Sequence, residues 1–436
     1  MTDTAPAEQA TATSDWTTPT GLGTSAARLA ARFARLRPEP PAPTPVPPPA
    51  APPSTAPPVP GLSTSYPGLP VPPGSPHPGL PGVPDLAALL GEVALVGEAA
   101  RTAGAAPGPG YALREWGDGT RSPLYVPVVE RVDDVLTGAV EDRLVEWAER
   151  CGFVGEELDH LRGAGFGRLA VLAHTDSDDP EHLLIAAKLN AAWWAADDLY
   201  ADDSERGATP TELPPRLALA MAAMDPLPAA GEFTAPLEEA LAAEPVLVAL
   251  RSGIDHLSRF GSPALVQRVN YSTFAMFVAW NTYAAWRHTG DYPPAWKYLA
   301  TRQHDTFYTS MTLVDAVGGY EVPAELYYDP RVRRAAFQAG TAAVLVNDLL
   351  SVAKDAADEN PVVNMVLQIA ADRECPIAEA TEVTVDLHNR FVRDFEAGHR
   401  ELLAVPSPEL HRFLRGLRAW MGGGFEWHNT NPRYRA

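Results

Sequence analysis

Residues 265–287 read LVQRVNYSTFAMFVAWNTYAAWR. Apolar and aromatic side chains, among them Phe274, Phe277, Trp280 and Trp286, recur there at helical spacing, without the period-two alternation of a strand. A helix that is apolar along much of its length belongs near the centre of a bundle. Helical spacing continues outward in residues 140–152, 182–198, 236–260, 294–317, 330–357, 376–405 and 408–422, several opening just after a proline or an acidic cap. The spacing predicts an all-α domain whose central helices, surrounded by others, enclose an apolar cavity.

The prolines mark a different kind of segment. Of 45, 25 fall in residues 1–110 and 21 of those lie between Pro38 and Pro84. Each removes a backbone donor and fixes φ, so packed helix or sheet is excluded there. Residues 1–115 are expected to form a proline-rich disordered N-terminal extension, and 116–436 the catalytic domain. The extension reads as a semi-extended tail, or as a polyproline ligand for a partner domain.

Charge and cysteine content narrow the function. Lys and Arg total 34 against 55 Asp and Glu, a net charge of −21. Such a surface repels phosphate backbones, so no nucleic-acid partner is expected. An anionic substrate must then be met by local arginines or by metal ions. Cys151 and Cys375 are too few for a disulfide framework or a structural zinc site. The opening MTDTAPAEQATATSD lacks the basic start and apolar core of a secretory signal. No apolar run reaches the roughly 18 residues of a membrane span. The expected location is the cytoplasm, with no membrane span.

Two segments carry chemistry. Trp193-Trp194-Ala-Ala-Asp197-Asp198-Leu-Tyr-Ala-Asp202-Asp203 closes an apolar helix with four carboxylates. Burying part of that cluster without counter-ions is costly, and a helix C-terminus is a poor place for surplus negative charge. Hard oxygen ligands on one turn suit Mg²⁺, which takes a few carboxylates together with substrate phosphates. In Val346-Asn347-Asp348-Leu-Leu-Ser351-Val-Ala-Lys354-Asp355, the residues Asn347, Ser351 and Asp355 are spaced i, i+4, i+8 and line one helical face. An amide oxygen, a hydroxyl and a carboxylate in a row can chelate one small hard cation, and Lys354 can meet a phosphate oxygen.

Together these segments resemble the class I terpene synthase family, whose motifs are DDxx(x)D/E and (N/D)DxxSxx(R/K)(E/D). The second motif fits at every defined position. In the first, the fifth position is Ala201 and the next acid is Asp202. The resemblance implies Asp197, Asp198, Asp202, Asn347, Ser351 and Asp355 as ligands of three Mg²⁺ ions. It implies Arg302, 45 residues before Asn347, as a diphosphate sensor, with Asp305 and Thr306 as linker and carbonyl effector at a helix break. It also implies that the terminal Arg433-Tyr434 pair joins Arg302 and Lys354 on the diphosphate. Candidate cavity aromatics are Trp193, Trp194, Phe277, Trp280, Phe307, Tyr308 and Trp420.

Within that family, the proline-rich extension and the stretches 298–322 and 329–355 look like the bacterial 2-methylisoborneol synthases. The resemblance implies a small isoprenoid diphosphate substrate, 2-methylgeranyl diphosphate, made by a partner methyltransferase. It further implies ionisation, two ring closures and capture by water; deprotonation instead would give 2-methylenebornane. Bacterial members are often homodimers. Asp355 stands where that group usually has Glu.

Other readings compete. Another monoterpene or sesquiterpene cyclase fits the same motifs. Asp176-Ser177-Asp178-Asp179 spells the DxDD of class II cyclases, but no chain is left for the second helical domain that they need. Asp178-Asp179-Pro180 reads as a capped loop before a helix. A chain-elongating prenyltransferase would carry a second Asp-rich motif where Asn347–Asp355 stands. A non-enzymatic helical interaction protein would rely on its proline tract to recruit partners.

Overall fold

The computed structural model describes residues 124–202, 208–305, 307–357 and 363–431, and among these no strand occurs. Thr306, Arg433, Tyr434 and the boundary expected at residue 115 lie outside the described residues, as does the side chain of Asp202. The main helices are α1 (Asp134–Cys151), α2 (Phe166–Ala173), α3 (Pro180–Ala196), α4 (Pro245–Leu257), α5 (Pro263–Thr289), α6 (Ala295–Arg302), α7 (Phe307–Met311), α8 (Pro330–Ala357), α9 (Met365–Arg373), α10 (Ile377–Leu402) and α11 (Pro408–Thr430). The described residues form an all-α bundle.

Helix starts follow from local chemistry. The Asp133 carboxylate accepts from the Leu136 amide at 2.8 Å, so α1 begins six residues before the predicted 140. Asp179 accepts from the Glu181 amide at 2.9 Å, and Pro180, whose missing N–H costs nothing at a first turn, opens α3. The other acids of that loop are held by arginines, Asp176 by Arg412 and Arg415, and Asp178 by Arg131. Their role there is structural.

Several predicted spans divide. The expected helix 236–260 breaks at Glu244, which adopts extended backbone before Pro245 starts α4. The expected helix 294–317 breaks after Arg302 and resumes at Phe307 and again at Val314–Val317. Helix α2 was not predicted, because seven of its eight residues are buried and a helix buried on every face has no period to read.

The centre of the bundle also differs from expectation. Helix α5 lies at the wall, with Tyr271 62% and Val278 65% exposed. The most enclosed stretch is Gly416–His428 of α11, continuously buried and packed against α2 and α8. Its Gly422-Gly423-Gly424 run suggests a stop at 422, yet the helix continues to Thr430 because glycine is what lets neighbours approach. A Cβ on Gly423 would stand 2.3 Å from the Leu172 carbonyl oxygen of α2. Gly423→Ala is therefore expected to destabilise the fold by about 1–3 kcal/mol, read as a lowered midpoint of thermal unfolding. Helix α8 has the length and composition of a membrane span, but 72% of its most apolar stretch is buried within the bundle.

Candidate active site

Helix α3 ends in a π turn, Asp197–Asp202. Such a turn closes its backbone hydrogen bonds between residues five apart rather than four, which widens the end of the helix. The turn spans the acidic run DDLYAD. Facing it, α8 carries Asn347, Ser351 and Asp355, each half-buried, with Lys354 exposed beside them. The two walls meet in one cavity of about 120 Å³, lined by Trp193 and Trp194 from α3, Asp197 from the π turn, Asn347 and Val344 from α8, and Trp280, Arg302, Asp305 and Phe307 between them. Asp197 and Asn347, 150 residues apart in sequence, line that one opening; Asp198, Ser351, Lys354 and Asp355 are not among its lining residues.

Arg302 organises the charged end. Its Nη1 donates to the Asp305 carboxylate at 2.5 Å, and its Nη2 donates to Asp348 at 2.8 Å and to Asn347 Oδ1 at 3.2 Å. Burial works against its charge, but Asp348 and Asp305 outweigh that and keep the guanidinium ionised. Asp348, 2% exposed, also accepts from the Tyr298 hydroxyl at 2.9 Å and the Met365 amide at 3.0 Å. Trp280 Nε1 donates to the other oxygen of Asp305 at 2.7 Å, which fixes that indole as a wall of the cavity.

The polar face of α8 is pre-arranged from both ends. His428 is fully buried, and burial pushes its pKa down to about 4, so the ring is neutral. Its Nδ1 faces the Gly424 carbonyl at 2.7 Å and must donate there; Nε2 is left as an acceptor for Asn347 Nδ2 at 3.4 Å. The Asn347 amide is thereby turned with Oδ1 away from His428. At the far end Ser351 Oγ donates to Asp355 at 2.6 Å and Asn364 Nδ2 donates to Asp355 at 2.8 Å. Burial raises the Asp355 carboxyl above its ordinary range, against the pull of these two bonds.

This donor set fits magnesium. Its ligand atoms are amide, hydroxyl and carboxylate oxygens, and the bonded partners of the half-buried Asp355 are neutral, which leaves its charge for a cation to compensate. No three acidic, histidine or cysteine side chains gather at one point among the described residues. The fit therefore depends on Asn347 and Ser351.

Not every candidate residue faces this cavity. Trp193, Trp194, Trp280 and Phe307 line it. Phe277, 1% exposed, packs behind Trp280 at a centroid distance of 5.2 Å, and Trp420, fully buried, packs behind Phe307 at 4.9 Å. Tyr308 stacks on Phe337 at 4.3 Å and faces a different cleft, because successive residues of α7 point to different sides. Sequence reasoning missed Asp348, Asn364 and His428. Asp348 stands in the motif itself and Asn364 precedes an apolar run as an N-cap would; nothing in sequence points to His428.

The model of the terpene synthase family 2, C-terminal metal binding, matches residues 188–394. The chain belongs to the class I terpene synthase family. It is 35% identical over 311 residues to the 2-methylisoborneol synthase of Streptomyces lasalocidi, covering 71% of this chain and 64% of that protein. It is 34% identical to the enzyme of the same name from Streptomyces ambofaciens, covering 71% and 70%. The crystal structure of 2-methylisoborneol synthase from Streptomyces coelicolor A3(2) in complex with Mg²⁺ and 2-fluoroneryl diphosphate aligns with a TM-score of 0.69 and 34% identity, over 72% of this chain and 96% of that one.

Proposed function

We propose that this chain is a Mg²⁺-dependent cyclase that converts (E)-2-methylgeranyl diphosphate to 2-methylisoborneol. The observation that carries the reading is the meeting of Asp197 and Asn347 on one aromatic cavity, joined to the likeness to 2-methylisoborneol synthases. Asp197, Asp198 and Asp202 on one wall and Asn347, Ser351 and Asp355 on the other would hold the metal, three ions by the family's pattern. When bound, Mg²⁺ supplies positive charge to the departing diphosphate.

The chain's own groups do the rest. Arg302, held by Asp305 and Asp348, presents its guanidinium to the same end of the cavity. Lys354, Arg433 and Tyr434 are assigned to the diphosphate, and Asp305 and Thr306 to the linker and effector positions. Such fixed charges stabilise the leaving group, and cleavage of its C–O bond leaves an allylic cation. The faces of Trp194, Trp280 and Phe307 then hold that cation away from water. Trp194 is braced from behind by Phe166 and Trp427 at centroid distances of 5.5 and 5.9 Å. Because the substrate carries one carbon beyond a C10 precursor, a methyl-transferring enzyme must supply it.

The test is incubation of the full chain with C10, 2-methyl-C10 and C15 allylic diphosphates and Mg²⁺, with products separated by gas chromatography. The 2-methyl-C10 substrate is expected to give 2-methylisoborneol as the main product. A hydrocarbon such as 2-methylenebornane, or preferred turnover of the C15 substrate, would redirect the assignment within the family. Absence of metal-dependent diphosphate release from all three would overturn it.

A further inference from the structure

Two polar side chains on the cavity wall stand apart from the charged cluster. Asn190 lies seven residues before Asp197 in sequence, which at the helical rise places it about 10 Å deeper along α3. Ser310 of α7 reaches it from the opposite side: Ser310 Oγ donates to Asn190 Oδ1 at 2.5 Å. Both line the cavity, and they are 7% and 4% exposed. Around them the wall is Met276, Phe307, Val344 and Trp193.

The hydrogen bonds of this pair are only partly used. Asn190 Nδ2 donates to the Ala186 carbonyl at 2.9 Å. A carbonyl only accepts, so the amide orientation is fixed, with Oδ1 toward Ser310. These two bonds use one of the two Nδ2 hydrogens and the single hydroxyl hydrogen of Ser310, which leaves an N–H and the serine lone pairs. One donor and one acceptor side by side in an apolar pocket are what a single trapped water needs. Packing α3 against α7 would be served equally well by two apolar side chains, at no desolvation cost.

We propose that Asn190 and Ser310 hold the water that captures the final carbocation, and so decide between an alcohol and an olefin. The inference rests on the reading of the chain as an alcohol-forming cyclase. In the step, a lone pair of the held water forms the new C–O bond at the cationic carbon. The resulting oxonium loses one proton, which ends on the diphosphate released at ionisation. Substrate and water thus become alcohol and protonated diphosphate. Without the water, a carbon next to the cation loses its proton to the same diphosphate and a C=C bond forms.

The experiment compares the full chain with Asn190→Leu and Ser310→Ala on 2-methylgeranyl diphosphate and Mg²⁺ in ¹⁸O-labelled water, with product ratios and label read by mass spectrometry. The wild-type alcohol is expected to carry ¹⁸O. The ratio of alcohol to olefin should fall at least ~10-fold in Asn190→Leu and by a smaller factor in Ser310→Ala, as expected when a polar anchor in a pocket is removed. If Asn190→Leu does not fold, as judged by circular dichroism, Ser310→Ala carries the test, since it deletes a single oxygen atom. A folded variant whose total turnover drops while its alcohol-to-olefin ratio stays unchanged overturns the role of the pair and leaves the proposed function standing. A wild-type enzyme that makes only olefin overturns both.

Discussion

Asp197→Asn and Asn347→Ala are each expected to lower turnover by at least ~10²-fold while the chain stays folded, because removing one group aimed at developing charge on a leaving group typically costs that much. The two residues enter the cavity from different walls, Asp197 from the π turn after α3 and Asn347 from α8. Neither is deep in the core, so each substitution should leave unfolding nearly unchanged. Steady-state kinetics at saturating Mg²⁺ alongside thermal melts would check both halves of the expectation. Near-normal turnover in either variant would remove that residue from the ligand set. The two should also differ in kind. Asp197→Asn removes a charge but keeps the shape. Asn347→Ala removes the acceptor of the Arg302 bond as well, so it should additionally weaken substrate binding.

The second large effect falls on stability. Asp348→Ala should destabilise the domain by about 3–5 kcal/mol, because it strips a buried guanidinium of one of its two carboxylates. In urea titrations this appears as an early midpoint, and in thermal melts as a shift on the order of 10 °C. The Tyr298 hydroxyl and the Met365 amide would lose their acceptor at the same time. Tyr298→Phe, which deletes only one of those bonds, should cost about 1 kcal/mol. Equal effects from the two substitutions would show that Arg302 finds its compensation elsewhere.

How much of this was legible in sequence depends on the kind of signal. The second metal motif could be read because it lies on one uninterrupted helix, where i, i+4, i+8 spacing translates directly into a face; α8 runs as predicted from Pro330 to Ala357. The first motif could be read only as composition, since the π turn departs from the α-helical repeat on which face spacing relies. The position of α5 was misjudged because apolar content does not distinguish a helix surrounded by protein from one that lines a cavity on one side and leaves Tyr271 and Val278 in solvent. Gly422–Gly424 resembled a helix stop for want of knowledge of the neighbouring chain that comes within van der Waals reach. Asn364 and His428 act across 9 and 81 residues of sequence, on Asp355 and Asn347 respectively. No local pattern encodes contacts of that range. The same holds for Asn190 and Ser310, which are 120 residues apart.

The network through Arg302 binds the mouth of the cavity to four helices: Trp280 from α5 by way of Asp305, Tyr298 from α6, Asp348 from α8 and the first amide of α9. The deeper walls, built from Met276, Phe307, Val344 and the Asn190–Ser310 pair, take no part in those ties. On the proposed reading, bond breaking is assigned to the tied end of the chamber and the choice between alcohol and olefin to the Asn190–Ser310 pair outside those ties. Substitutions can accumulate at the bottom and generate new carbon skeletons while the machinery that starts every reaction is preserved, which gives such a scaffold an open route to chemical diversification.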